Sequence, residues 1–247
     1  MVRRARDRRR SRIVLFPGLL AMAGCLGLLA GCRSTPPPNP HDPHVRLAAL
    51  LEQWSQVRED GSSCDERRPG KTPLIDCERT RKGLERLSIE FPYDPEVLLA
   101  NAVVSYESGR VEDAGKELDA LRRITPVQPD AALLRARIAI DQGNLRFARR
   151  LLDEQIELVP DHASLHELSA AVHYLEQHYD QALRELRLAR RLGAPAWRTA
   201  YHEGLVAEAR EEYPAAARAY RTSLDDNPGF APARSRLRGL AVRDPAP

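Results

Sequence analysis

Small and apolar positions recur at a constant interval from about residue 92 to residue 228. Alanine returns every 34 residues, at positions 114, 148, 182 and 216. Proline returns at the same step or at its double, at positions 92, 126, 160 and 228. A fixed period of this length is typical of stacked repeats, in which each unit buries an apolar face against the next. The pattern predicts an all-α solenoid built of helical hairpins.

The period defines four units, residues 95–128, 129–162, 163–196 and 197–230. With alanine in the middle and proline near the end, these units resemble the tetratricopeptide repeat. The resemblance implies two helices per unit, with small residues where the helices cross and bulky residues in the seam between hairpins. Acidic residues such as Asp94 and Asp161 are expected to cap the helices that follow them. A generic helical bundle is the alternative, but a bundle needs no constant period.

One position departs from the family pattern. The seventh residue of each unit is usually large and apolar in this family. Here it is polar in every unit, as Asn101, Arg135, Ser169 and Glu203. The departure leaves the predicted fold in place, but it leaves the curvature of the array and the shape of its groove open.

The first 31 residues have the pattern of a bacterial export signal. Seven arginines lie within residues 1–12, and an apolar stretch follows as far as Ala30. The segment then reads Leu29-Ala30-Gly31-Cys32, which resembles the lipobox of bacterial lipoproteins. The resemblance implies that Cys32 carries a lipid anchor and becomes the first residue of the mature protein. A plain transmembrane anchor and a soluble secreted protein are the alternatives. Ala23-Gly24-Cys25 is a weaker second candidate for lipidation, because Met22 stands where leucine is preferred.

The residues that follow Cys32 predict where the anchor is held. In bacterial lipoproteins an aspartate at the next position tends to retain the protein at the inner membrane, but here the residue is Arg33. We therefore expect the outer membrane, with the protein facing the periplasm. Residues 32–44 hold five prolines, which favour an extended spacer between the lipid and the folded part.

The residues on both sides of the array predict caps. Residues 45–94 predict an irregular hairpin with a long polar connection, and residues 231–247 predict a cap helix and tail. Cys64 and Cys77 lie in the first cap. In an oxidising envelope two remaining cysteines favour a disulfide. A redox or metal pair is the alternative, although the chain has no Cys-x-x-Cys spacing.

Charge argues against nucleic acid as a partner. The chain carries a net charge of +3, and residues 1–31 contribute +6 through seven arginines and one aspartate. The +3 of the chain less the +6 of that segment leaves −3 for all other residues. A mildly acidic remainder offers no basic surface to a phosphate backbone.

The chain carries no motif that predicts catalysis or a cofactor. It lacks a Gly-x-Ser-x-Gly elbow, a Gly-rich phosphate loop and a Ser-x-x-Lys pair. His162, His166 and His173 are spaced to share one side of a helix, as zinc ligands can be. Two of these three fall on positions that the repeat uses for packing. We therefore expect neither an enzyme nor a metal site nor a cofactor.

The resemblance also implies a groove, because the first helices of tetratricopeptide units line a surface that holds a partner. An amphipathic helix or an extended segment of an envelope protein would suit its mixed apolar, aromatic and basic character. Packing of some of these side chains against the cap helix or the next hairpin is the alternative. The expected groove residues are Leu99, Val103, Tyr106, Leu133, Arg137, Ile140, Tyr174, Tyr201 and Leu205.

These features together predict a lipid-anchored scaffold or adaptor that binds another protein in the bacterial cell envelope. An assembly or pilot factor for a pilus or a secretion channel is the alternative. An envelope enzyme is a remote third possibility.

Overall fold

The computed structural model describes residues 39, 41–59 and 74–243. The predicted signal, Cys32 and Cys64 lie outside these residues. Within the described ranges the chain forms eleven α-helices and no strand. None of these helices has the length and apolar character that crossing a membrane requires. The helices are α1 (Pro43–Glu59), α2 (Leu74–Glu90), α3 (Pro95–Glu107), α4 (Val111–Ile124), α5 (Pro129–Asp141), α6 (Leu145–Leu158), α7 (Ala163–Leu175), α8 (Tyr179–Arg191), α9 (Ala196–Ala209), α10 (Tyr213–Asp226) and α11 (Ala231–Arg243).

The helices follow the period of the sequence. The second helices of the four hairpins begin at Val111, Leu145, Tyr179 and Tyr213, which are 34 residues apart. Helices α3 to α10 pair in order as four hairpins, each packed on the next. Helices α1 and α2 form the preceding hairpin, and α11 packs on α10. The predicted all-α solenoid with two caps is confirmed.

Small residues occupy the crossing inside each hairpin. Ala114, Ala148, Ala182 and Ala216 on the second helices are completely buried. Opposite them, at the eighth position of the first helices, lie Ala102, Ala136, Ala170 and Gly204. A Cβ atom at Gly204 would collide with the ring of Tyr220. The fourth unit therefore accommodates the buried Tyr220 where the other three have leucine, because the facing residue is glycine instead of alanine.

A left-handed residue closes each of the four hairpin turns. These residues are Gly109, Gly143, Gln177 and Glu211, with φ between 62° and 77°. In each turn the next amide donates to a carbonyl five residues earlier, at 2.7–2.9 Å. This is the Schellman pattern of a helix C-terminus. The backbone of the turn is thus the same in all four units, although only two of them use glycine.

The expected capping residues differ in outcome. Asp94 caps α3, because its Oδ1 accepts from the amides of Glu96 and Val97 at 3.1 Å. The expectation for Asp161 is wrong: the N-cap residue of α7 is His162, and its side chain makes no capping hydrogen bond. The start of α7 depends instead on packing, because Leu165 in its first turn is fully buried.

Three of the four polar seventh positions are paired with polar groups on neighbouring helices. Asn101 Nδ2 donates to Glu117 Oε1 at 2.8 Å and to Ser88 Oγ at 3.2 Å. The Arg135 guanidinium donates to both carboxylate oxygens of Asp119 at 3.0 and 3.2 Å. In the fourth unit Glu203 pairs with an arginine of α8 at 2.9 Å. The departure from the family pattern therefore replaces apolar contacts between hairpins with polar ones.

The first cap is joined to the array by an apolar cluster. Leu47 and Trp54 of α1 and Leu84 and Leu87 of α2 pack with the first helix of the array. Cys77 is buried in the same cluster. Its expected partner, Cys64, lies outside the described residues, so the disulfide between them stays a prediction.

Replacement of Ala148 by tryptophan tests the helix crossing. Because Ala148 is fully buried, the larger ring must displace packed neighbours, and we expect the free energy of unfolding to fall by about 1–3 kcal/mol or more. Thermal unfolding measures the change. Glu157→Trp places the same side chain on an exposed position of the same helix and should leave the melting temperature nearly unchanged. Equal melting temperatures for the two variants would contradict the crossing.

Glu117 predicts a pH dependence of stability. Burial raises the pKa of its carboxyl to about 7, and the nearby carboxylates of Asp113 and Glu85 contribute to the rise. Its Oε2 is buried without a hydrogen-bond partner among the described residues. Between about pH 4.5 and pH 7 the folded state then binds more protons than the unfolded state, so stability falls as the pH rises through this range.

Glu117→Gln should remove this dependence. Glutamine keeps the oxygen that accepts from Asn101 but carries no charge. We therefore expect the free energy of unfolding to rise by roughly 1–2 kcal/mol above pH 7, after allowance for solvent screening. The advantage should shrink toward about pH 4.5. Urea unfolding at several pH values measures it, with the exposed Glu157→Gln as the control. A constant difference between wild type and Glu117→Gln across this range would refute the assignment.

Candidate partner groove

The first helices of the four hairpins line an open cleft. Its volume is about 520 Å³, and its walls come from α3, α5, α7 and α9. The lining residues are Val103, Tyr106, Glu107, Asp130, Leu133, Leu134, Arg137, Ser164, Glu167, Leu168, Ala171, Arg198 and His202. We refer to this set as the groove. The 34-residue step places equivalent side chains of successive units side by side along it.

Four of the nine expected groove residues line the groove: Val103, Tyr106, Leu133 and Arg137. Leu99 and Ile140 are partly buried against the apolar clusters of the first and second hairpins. Tyr174 lies near the ring of Tyr179, with centroids 6.1 Å apart.

The C-terminal end of the expected surface is covered by the protein itself. Tyr201 lies edge-on to Phe230, with ring centroids 5.0 Å apart, and it also contacts Tyr220. Leu205 packs against the same cluster, which includes residues of α11. Packing against the cap, the alternative considered above, therefore describes Tyr201 and Leu205.

The middle of the groove is apolar. Leu133 and Leu134 on α5 and Leu168 and Ala171 on α7 provide its floor, and Val103 extends it toward α3. Leu133 is half-buried and rests on the core of the second hairpin. These side chains offer a ligand a surface whose burial is favourable by about 25 cal/mol per Å².

Two unpaired charges flank this apolar floor on one helix. Asp130 lies in the first turn of α5, and Arg137 lies seven residues later, about 10 Å along the axis. Both are exposed, and neither has an ion pair or a side-chain hydrogen bond among the described residues. The groove thus presents a negative group, an apolar stretch and a positive group in that order.

The other charges of the groove are already compensated. The Arg198 guanidinium forms a two-pronged pair with the Glu167 carboxylate, one contact of which measures 2.5 Å. His202 Nε2 lies 3.7 Å from the same carboxylate. Burial lowers the pKa of His202, and the neighbouring Arg198 lowers it further. On the opposite side, Glu107 Oε2 accepts from Trp54 Nε1 at 2.7 Å.

The histidines expected to share a helix side are separated by their contacts. His166 is buried, with Nδ1 2.7 Å from Glu185 Oε2 and Nε2 2.8 Å from the carbonyl of Pro160. It therefore holds the loop before α7 against α8. His173, two turns later, faces Glu176 and His178 across the next turn. Among the described residues, His173, Glu176 and His178 form the group whose atoms could hold a metal ion.

Sequence reasoning missed several groove residues. Glu167 and Arg198 are 31 residues apart, close to one repeat, so a search for opposite charges one period apart would have suggested the pair. Nothing in the sequence assigned Asp130 to the groove, because acidic residues are common in the first turn of a helix, where they interact favourably with the helix dipole.

Comparison with known proteins supports the same fold. Residues 81–138 match the family described as tetratricopeptide repeat. No curated protein sequence matches the chain significantly. Three solved structures illustrate the likeness, each at low identity.

The first is TTC0263, a thermophilic protein of this repeat family in Thermus thermophilus, with TM-score 0.62, 18% identity and coverage of 81% of this chain and 100% of that one. MamA (residues 41 to the end) from Desulfovibrio magneticus RS-1 has a TM-score of 0.57 at 12% identity. The match covers 75% of this chain and 97% of that one. YrrB, described as having an unusual peptide-binding site, has a TM-score of 0.56 at 13% identity. The match covers 80% of this chain and 92% of that one.

At these identities the likeness concerns the fold, whereas the family match rests on residues 81–138 of the sequence itself. The two findings agree with the 34-residue step of the helices. Residues 81–138 therefore match the tetratricopeptide repeat family, and the described helices have the solenoid fold of proteins built from such repeats.

Proposed function

We propose that the chain is a scaffold that is anchored in a bacterial envelope by a lipid on Cys32 and that holds a segment of another protein in the groove. The observation that carries the proposal is the groove, in which an open apolar floor lies between two unpaired charges. Proteins with this repeat fold generally act through binding, and YrrB is described as carrying a peptide-binding site.

The groove specifies the chemistry of the segment. Its ends would carry a basic group for Asp130 and an acidic group for Arg137, about 10 Å apart along α5. Apolar side chains between them would cover Leu133 and Leu168. A short helix or an extended strand can meet this spacing, and both are usual ligands of grooves between helices.

The envelope location rests mainly on residues before α1. Leu29-Ala30-Gly31-Cys32 supports lipidation, Arg33 supports transfer to the outer membrane, and the prolines that precede α1 support a spacer. A lipid anchor of several acyl chains holds a protein durably at a membrane. The scaffold would then face the periplasm.

The partner can be captured from the groove itself. A photo-crosslinking amino acid at Leu133 or Val103 in cells should join one envelope protein to the chain. The same probe at the exposed Glu157, which does not line the groove, serves as the control. A secretin or pilin subunit as the captured protein would favour the pilot-factor alternative, and equal products from both positions would oppose a groove ligand.

Leu133→Asp should weaken the captured complex without unfolding the chain. The substitution places a carboxylate in the apolar floor, where burial of an unpaired charge is costly. Because Leu133 also rests on the core, Arg137→Glu provides a second variant with no packing role. Each should reduce the crosslink yield about tenfold or more, whereas Arg146→Glu on the exposed side of α6 should not. An unchanged crosslink yield from Arg137→Glu would show that the partner does not depend on the charge of Arg137.

Cys32→Ser tests the anchor separately. Without the thiol no lipid can be attached, so we expect the protein to leave the membrane fraction or to remain as an unprocessed precursor. Membrane fractionation and metabolic labelling with a radioactive fatty acid measure the change, with Cys25→Ser as the matched control. A Cys32→Ser protein that is still labelled would rule out lipidation at this residue.

A further inference from the structure

The turn between α7 and α8 brings three ligand-type side chains together. His173 lies in the last turn of α7, Glu176 is its C-cap residue and His178 is the N-cap residue of α8. The amide of His178 donates to the carbonyl of His173 at 2.8 Å, through the left-handed residue Gln177. This bond fixes the two histidines side by side, although they are five residues apart.

The other three hairpins close with the same backbone but with different side chains. The residues joined by the equivalent hydrogen bond are Ser105 and Arg110, Ala139 and Asn144, and Ala207 and Glu212. None of these pairs contains a histidine. The turn therefore does not require imidazoles, and the histidines of the third unit need an explanation other than backbone geometry.

The side chains of the three residues converge. One imidazole nitrogen of each histidine and one carboxylate oxygen of Glu176 all lie within 4.8 Å of one another. The Nδ1 atom of His173 is buried and has no hydrogen-bond partner among the described residues. A buried polar atom without a partner is unfavourable, and a bond from this nitrogen to a cation would remove the deficit.

Acidic side chains surround the group. Burial lowers the pKa of His173, and the carboxylates of Glu185, Glu176 and Asp153 oppose that shift. Arg149 of α6 donates to Oε2 of Glu176 at 3.0 Å and holds that carboxylate in place. Such a contact behind a ligand is how proteins orient metal-binding side chains. His178 is half-exposed, which leaves the group open to solvent.

We propose that His173, Glu176 and His178 bind a divalent transition-metal ion, with zinc as the natural choice. Two imidazoles and one carboxylate are a common zinc set, and water completes the coordination on the open side. Ligand atoms around tetrahedral zinc lie about 3.4 Å apart, so the exposed His178 ring moves inward when the ion binds. The ion would fasten α7 to α8 and, through Arg149, to the preceding hairpin.

The site is independent of the groove, because none of its three ligands lines that cleft. Full-length protein without a histidine tag is stripped with a chelator and titrated with zinc chloride by calorimetry, and its melting temperature is followed in parallel. We expect one saturable zinc site per chain and a melting temperature that rises with zinc. Magnesium, which prefers oxygen ligands, should produce neither effect.

Two variants locate the ion. His178→Ala and Glu176→Gln should each weaken zinc binding at least about tenfold, and neither side chain belongs to the buried core. His162→Gln, at the start of the same helix, should bind zinc as the wild type does. Absence of saturable zinc binding would overturn the proposal, as would unchanged affinity in both variants. Neither result bears on partner capture in the groove.

Discussion

The close crossing of two helices over a pair of small residues is the constraint on which the rest of the structure depends. Alanine at every 34th position lets the second helix of each hairpin approach the first, and larger side chains then fill the seam to the next hairpin. Because every unit meets this constraint at the same step, equivalent faces of the first helices align. The groove follows from that alignment and requires no special segment of its own.

The polar seventh positions show how the array tolerates a departure from its pattern. Asn101 and Arg135 would be costly if they were buried alone, but each finds an acceptor on a neighbouring second helix. Hydrogen bonds of this kind constrain direction more strongly than apolar contacts do. Asn101 thus ties together the two helices of one hairpin, whereas Arg135 ties one hairpin to the one before it.

The period of the sequence was enough to predict the fold class, because a step of 34 residues fixes the length of each stacked unit. It was not enough to predict which groove residues stay accessible. Tyr201 has the register of Leu133, and Leu205 has that of Arg137. Yet Tyr201 lies edge-on to Phe230, and both Tyr201 and Leu205 pack against a cluster that includes residues of α11. The charge pair between Glu167 and Arg198 and the meeting of His173 with His178 were missed for a related reason. Both depend on turns and on neighbouring units, whereas a helical wheel compares residues of one helix only.

Helix α11 begins at Ala231, one full step after the fourth unit, and so takes the place of the first helix of a fifth. Its buried side is short, with Ala233 and Leu240 at the core, while Arg234, Arg236 and Arg238 are exposed. The described outer side of this helix therefore carries three arginines. Like charges on this side disfavour its contact with the same side of a second copy.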